Sequence, residues 1–137
     1  MTTVLFVEDH ALIARTITRF LEQRSDLQIQ AVADSAEAAL RYLAGAQDHV
    51  PPYMPDLVMV DVSLPDMSGI ELVAALKEKY PQLPCLMLSG HRESRYIQRA
   101  LEAGARGYLA KDNPLAILEA VERVLQGEIY LSDDLEL

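Results

Sequence analysis

An α/β fold, one doubly wound sheet of five parallel strands flanked by five helices, is what this 137-residue sequence predicts. Three observations carry the prediction. Short apolar runs alternate with helix-patterned stretches along the whole length. Most of those runs are continuous rather than alternating, as expected of strands buried on both faces. Polar residues also collect at the ends of the runs, where an open parallel sheet binds its ligands.

The strands are predicted at residues 4–7, 27–33, 57–62, 85–89 and 107–110. In the helix after the first strand, Ile13, Ile17, Phe20 and Leu21 recur at i, i+4, i+7 and i+8, which sends one face to the core. Asp34 with Glu37, and Ser68 with Glu71, have capping-box spacing and open the second and third helices. Asn113 followed by Pro114 reads as the N-cap and first residue of the fifth. Gly45, Gly104 and Gly127 stand where helices should stop. "GAQDHVPPYMPD", residues 45–56, holds three prolines and reads as a surface loop. The last helix is apolar on more than one side, through Leu115, Ile117, Leu118, Val121, Val124 and Leu125. It should have surface left for a second copy of the chain after covering the sheet. Residues 1–127 form the expected domain, and residues 128–137, "EIYLSDDLEL", read as a tail or the start of a linker.

Composition excludes several function classes. A net charge of -9 repels phosphate backbones, so no nucleic acid is expected to bind this chain itself. No apolar run approaches the ~18 to 20 residues needed to span a bilayer, and the first residues lack a basic, apolar leader. A cytoplasmic protein with no membrane contact is therefore expected. The single cysteine, Cys85, permits no internal disulfide and sits in the apolar run "PCLMLS", as a small core residue would.

The polar residues at strand ends form a coherent set. Glu8 and Asp9 end the first strand, Asp61 the third, Ser89 the fourth and Lys111 the fifth. Three carboxylates at one rim repel one another unless a cation is shared among them. All-oxygen ligation with no His or Cys cluster favours Mg²⁺ over zinc.

"FVEDH", "VDVSLPDMSG" around Asp61, "MLSG" at Ser89 and "GARGYLAKDNPL" around Lys111 occur in order along nearly the whole chain. Together they resemble the receiver domains of two-component response regulators. The resemblance implies the flavodoxin-like strand order 2-1-3-4-5, for which this family is itself a standard example. It implies that Asp61 is the phosphoacceptor, attacking the phosphoryl group of a phosphohistidine on a sensor histidine kinase or phosphotransfer protein. Glu8, Asp9, Asp61 and the backbone carbonyl of Ser63 match the Mg²⁺ ligands. Lys111 matches the lysine that pairs with a phosphoryl oxygen, and Ser89 the hydroxyl that bonds another. Tyr108 matches the aromatic switch that turns into the space Ser89 vacates. On this reading the chain is not an enzyme beyond self-phosphorylation and slow autodephosphorylation.

One departure stands out, because many members have proline directly after the lysine and this chain has Asp112. "KDNPL", "ALEAGARGYLAKDNPL" and "GEIYLS" are similar to the NarL/FixJ (LuxR-type helix-turn-helix) branch. A DNA-binding effector domain beyond this chain, controlled through homodimerisation, is therefore expected. Arg92, Arg95 and Arg99 give the fourth helix a basic edge for an acidic partner or simply for solvent, and His10 and His91 fall near the pocket rim. Two other functions compete. A phosphohydrolase using an aspartyl phosphate typically has a second aspartate two residues after the nucleophile, where this chain has Ser63. A flavin carrier needs a hydroxyl- and glycine-rich phosphate loop after the first strand, where this chain has acids.

Overall fold

A computed structural model describes residues 1–46, 51–132 and 135. The strands are β1 (Thr3–Val7), β2 (Gln28–Ala33), β3 (Leu57–Asp61), β4 (Cys85–Ser89), β5 (Gly107–Ala110) and β6 (Tyr130–Leu131). Alternating with them are α1 (Ala11–Arg24), α2 (Ala36–Ala46), α3 (Gly69–Lys79), α4 (Ser94–Ala103) and α5 (Leu115–Leu125). The strands pair in parallel in the order β2-β1-β3-β4-β5-β6. The expected doubly wound sheet is thus present with one addition. Tyr130–Leu131, inside the predicted tail, adds a short sixth strand beside β5.

Side-chain alternation divides the core between two layers. Leu5, Val7, Val58, Val60, Met87 and Tyr108 point to the layer covered by α2, α3 and α4. Val4, Phe6, Leu57, Met59, Leu86 and Leu109 point to the layer covered by α1 and α5. β1, β3, β4 and β5 therefore carry apolar residues on both faces, which is why their runs are unbroken. Of the first helix's apolar positions, Ile17 and Leu21 are buried, while Ile13 and Phe20 are half-buried at its flank.

Helix ends follow local chemistry with three corrections. Ser68 caps α3, its hydroxyl accepting from Ile70 N at 3.1 Å, and Gly104 closes α4 at φ 114°. The predicted Asp34 cap is not used. Ser35 Oγ accepts from Ala38 N at 3.0 Å instead, and Asp66, from the loop before α3, accepts from Ala36 N at 3.0 Å and Glu37 N at 2.9 Å. Those two amides, Glu37's foremost, hold the Asp66 carboxyl below the usual carboxylate range. Gly45 lies within α2 rather than ending it. Pro114 already has helical dihedrals at the N-cap of α5, and Asn113 makes no side-chain cap bond. Of the predicted proline-rich loop, residues 45 and 46 belong to α2, and residues 47–50 lie outside the described residues.

Cys85 is buried as expected, and burial pushes its thiol up to about 12. The sign for stability follows. An unfolded chain ionises its cysteine near pH 9, whereas the native one does not, so the pH window from about 9 to 12 should erode stability. The slope from this group is about 1.4 kcal/mol per pH unit. Cys85→Ala should flatten that alkaline slope in urea unfolding measured at pH 8, 9 and 10; an unchanged slope would remove the thiol as its origin.

Candidate functional site

The carboxyl ends of β1, β3, β4 and β5 meet at one edge of the sheet and bring Glu8, Asp61, Ser89 and Lys111 together. Each is placed by an adjacent apolar run. Glu8 follows Val7 and is only 1% exposed, Asp61 closes β3 at 3%, and Ser89 closes β4 at 0%. Asp9, the next residue after Glu8, is exposed. Carboxylate oxygens of Glu8, Asp9 and Asp61 lie within 4.8 Å of one another.

Lys111 enters this acidic group from the end of β5. Its Nζ donates to Asp61 Oδ2 at 2.9 Å and stands 2.7 Å from Glu8 Oε1. Burial opposes the charge on Lys111, yet its bonds to Asp61 and Glu8 outweigh that and raise its pKa. Glu8 moves up as well, because the cost of burying its charge exceeds what Lys111 and the His10 amide return. Glu8 Oε2 accepts from His10 N at 3.1 Å. Its other oxygen, Oε1, has ion-pair proximity to Lys111 but no hydrogen bond of good geometry. A buried carboxylate beside two further carboxylates is the donor set a hard divalent cation accepts.

The loop after β3 is folded tightly under the site. Asp61 Oδ1 accepts from Ser63 N at 3.2 Å, Ser63 pairs with Ser68, and Gly69 N donates to Val62 O at 2.7 Å. Gly69 is glycine for want of space. A Cβ there would collide with the Asp61 carbonyl oxygen and lie 2.8 Å from its carbon.

On the far side of Asp61, Ser89 Oγ accepts from His91 N at 2.9 Å. Tyr108 is fully buried, and its hydroxyl donates to His91 O at 2.8 Å. Burial raises the Tyr108 pKa, partly offset by its hydrogen bond with Ser89. The His91 ring stacks on Tyr96, with centroids 4.2 Å apart. His10, the other histidine expected at the rim, caps α1 through Nδ1, 3.4 Å from Ile13 N. Arg92 does not serve an open basic edge. Its Nη2 makes a forked ion pair with Asp112, at 2.6 and 2.7 Å from the two carboxylate oxygens, tying the loop after β4 to the loop after β5. Arg95 and Arg99 remain exposed.

Sequence reasoning did not single out three contributors: Gly69, the Asp66 cap and the Arg92–Asp112 tie. Gly69 had a signal in the "DMSG" spacing; the other two join residues 29–30 and 20 positions apart, with no local pattern to reveal them.

Comparison with known proteins bears on this site. The family described as "Response regulator receiver domain" matches residues 4–122. The chain is 38% identical over 134 residues to the transcriptional activator protein ExaE of Pseudomonas putida, covering 96% of this chain and 59% of that protein. It spans 52–59% of the length of the curated relatives it matches first. Among solved structures it is similar to a LuxR-family two-component response regulator from Aurantimonas sp. SI85-9A1, with a TM-score of 0.87 and 29% identity. That match covers 98% of this chain and 92% of the other. A LuxR-family DNA-binding response regulator from Silicibacter pomeroyi matches with a TM-score of 0.80 and 31% identity, covering 97% and 98%.

Proposed function

This chain belongs to the response regulator receiver domain family, and from that premise we propose that Asp61 is the phosphoacceptor of a two-component signalling pathway. The observation that carries the reading is the pairing of Lys111 with both Asp61 and Glu8 at the sheet edge. An Asp61 oxygen attacks the phosphorus of a phosphohistidine on a sensor histidine kinase or phosphotransfer protein. The P–N bond breaks, a P–O bond forms, and the departing imidazole nitrogen takes up a proton. Lys111 holds the acceptor carboxylate in place and then offers its ammonium to a phosphoryl oxygen. Ser89, whose Oγ already accepts from the His91 amide, donates its hydroxyl hydrogen to another. Glu8, Asp9, Asp61 and the Ser63 carbonyl would hold Mg²⁺, which when bound neutralises the acidic rim against an anionic donor.

The buried Tyr108 then serves as the switch residue, set by what Ser89 and the loop after β4 do. Turnover is confined to the chain's own acyl phosphate, so the domain signals rather than processes substrates. No helix among the described residues is long and apolar enough to cross a membrane, in keeping with a cytoplasmic setting. A DNA-binding effector domain outside this chain would deliver the output as transcriptional control. Residues 1–127 would make up the receiver, with the tail leading toward that effector. α5 leaves Leu115 and Leu125 exposed and Leu118 half-buried, at the flank of the face that buries Ile117, Val121 and Val124. This stripe suits a homodimer contact, and a dimeric mass at high concentration that Leu118→Glu abolishes is the expected result.

Intact-mass measurement after treatment with a small phosphodonor and Mg²⁺ tests the acceptor. One base-labile phosphoryl adduct should appear, and Asp61→Asn should eliminate it. An adduct of equal yield in Asp61→Asn would place the chemistry elsewhere.

A further inference from the structure

We propose that the Arg92–Asp112 ion pair is a positioning clamp for Lys111, holding the turn after β5 against the loop after β4 so that the ammonium meets Asp61 and Glu8. The inference deepens the receiver reading and rests on it for the second of its two measurements only.

Lys111 and Asp112 are the two central residues of a turn that Asn113 N closes on Ala110 O at 3.2 Å. Neither is proline, so no ring fixes a φ angle in that turn. Two contacts with the end of β4 and its loop restrain it instead. The Lys111 amide donates to Ser89 O at 2.8 Å, and past the end of the sheet Arg92 Nη2 stands 2.6 and 2.7 Å from the two Asp112 carboxylate oxygens. The Lys111 backbone is therefore gripped on either side.

The grip matters because of where the side chain goes. From this turn Lys111 Nζ reaches Asp61 Oδ2 at 2.9 Å and Glu8 Oε1 at 2.7 Å, so slack in the turn passes directly to both contacts. With the Arg92 side chain 34% and the Asp112 side chain 70% exposed, the pair adds little to overall stability. Its contribution is geometric, because one guanidinium nitrogen held between two carboxylate oxygens fixes direction as well as distance.

Arg92 has an interaction beyond this pair, so the pair is isolated by a cycle of Arg92→Ala, Asp112→Ala and the double variant. Without any phosphodonor, the NMR signal of the Lys111 ζ-ammonium reports how firmly that group is held. Asp112→Ala should speed its proton exchange about threefold at an unchanged urea midpoint. With a small phosphodonor and Mg²⁺, the same variant should form the adduct about threefold more slowly, and the double variant no more slowly than Arg92→Ala. Ammonium exchange equal in the parent and Asp112→Ala would overturn the clamp, and so would single effects that multiply in the double variant. A midpoint that falls in step with the exchange would make the pair a stabilising contact and not a clamp. An adduct rate equal in the two would overturn its bearing on phosphoryl acceptance. Absence of any adduct in the parent would count instead against the receiver chemistry, and the ammonium measurement would still decide the clamp.

Discussion

Gly69→Ala is expected to lower stability by about 3 kcal/mol or more and to cut phosphoryl acceptance at least roughly tenfold. The cause is space rather than backbone freedom. α3 begins directly beneath the end of β3, and the first residue of the helix donates to Val62 O at 2.7 Å. A methyl group at position 69 would meet the backbone of Asp61, which no rotamer change can relieve. Either α3 moves out and loses packing from the buried Leu72, Val73 and Leu76, or Asp61 is pushed away from Lys111. Urea unfolding and the yield of the phosphoryl adduct read the two consequences separately. A variant with the parent's midpoint and the parent's yield would show that the loop has slack.

Lys111→Ala should be the second severe change. It leaves Glu8, at 1% exposure, and Asp61, at 3%, facing each other without the cation that pairs them. Breaking a buried pair typically costs ~3–5 kcal/mol. The Lys111 side chain keeps 21% exposure, so solvent screening brings the expectation down to about 2–3 kcal/mol. In a domain this size that loss lowers Tm by about 10 °C. Millimolar Mg²⁺ should recover much of it, because a divalent cation supplies the missing charge to the same carboxylates. Thermal unfolding of parent and variant, each with and without Mg²⁺, checks both parts. Equal Tm values without Mg²⁺ would mean that the acids do not need Lys111.

The sequence disclosed most of what short-range chemistry decides. Residues 85–89 and 107–110 were bounded to the residue, because β4 and β5 are buried on both faces and flanked by turns. The set Glu8, Asp9, Asp61, Ser89 and Lys111 was legible because a parallel sheet sends every strand end to one edge. What escaped was decided at a distance. Asp34 looked like the cap of α2 from its spacing, yet the helix starts at Ala36 with Ser35 and the remote Asp66 supplying its acceptors. Gly45 looked like a stop, but nothing stands within 4 Å of the place a Cβ would take and the helix runs on through it. β6 was invisible because two residues carry no period of their own. The unequal burial of Glu8 and Asp9 depends on where β1 stops, which adjacent carboxylates cannot reveal.

The attachment of Asp66 to the first two amides of α2 has a consequence for tolerance of change. Residues 61–68 must span between two fixed moorings, one on the Asp61 carboxylate and one on a neighbouring helix, before re-entering α3. Lengthening that stretch by a single inserted residue would cast off at least one of them. Tags, probes or grafted peptides placed there should therefore silence the domain even where they leave its chemistry untouched on paper.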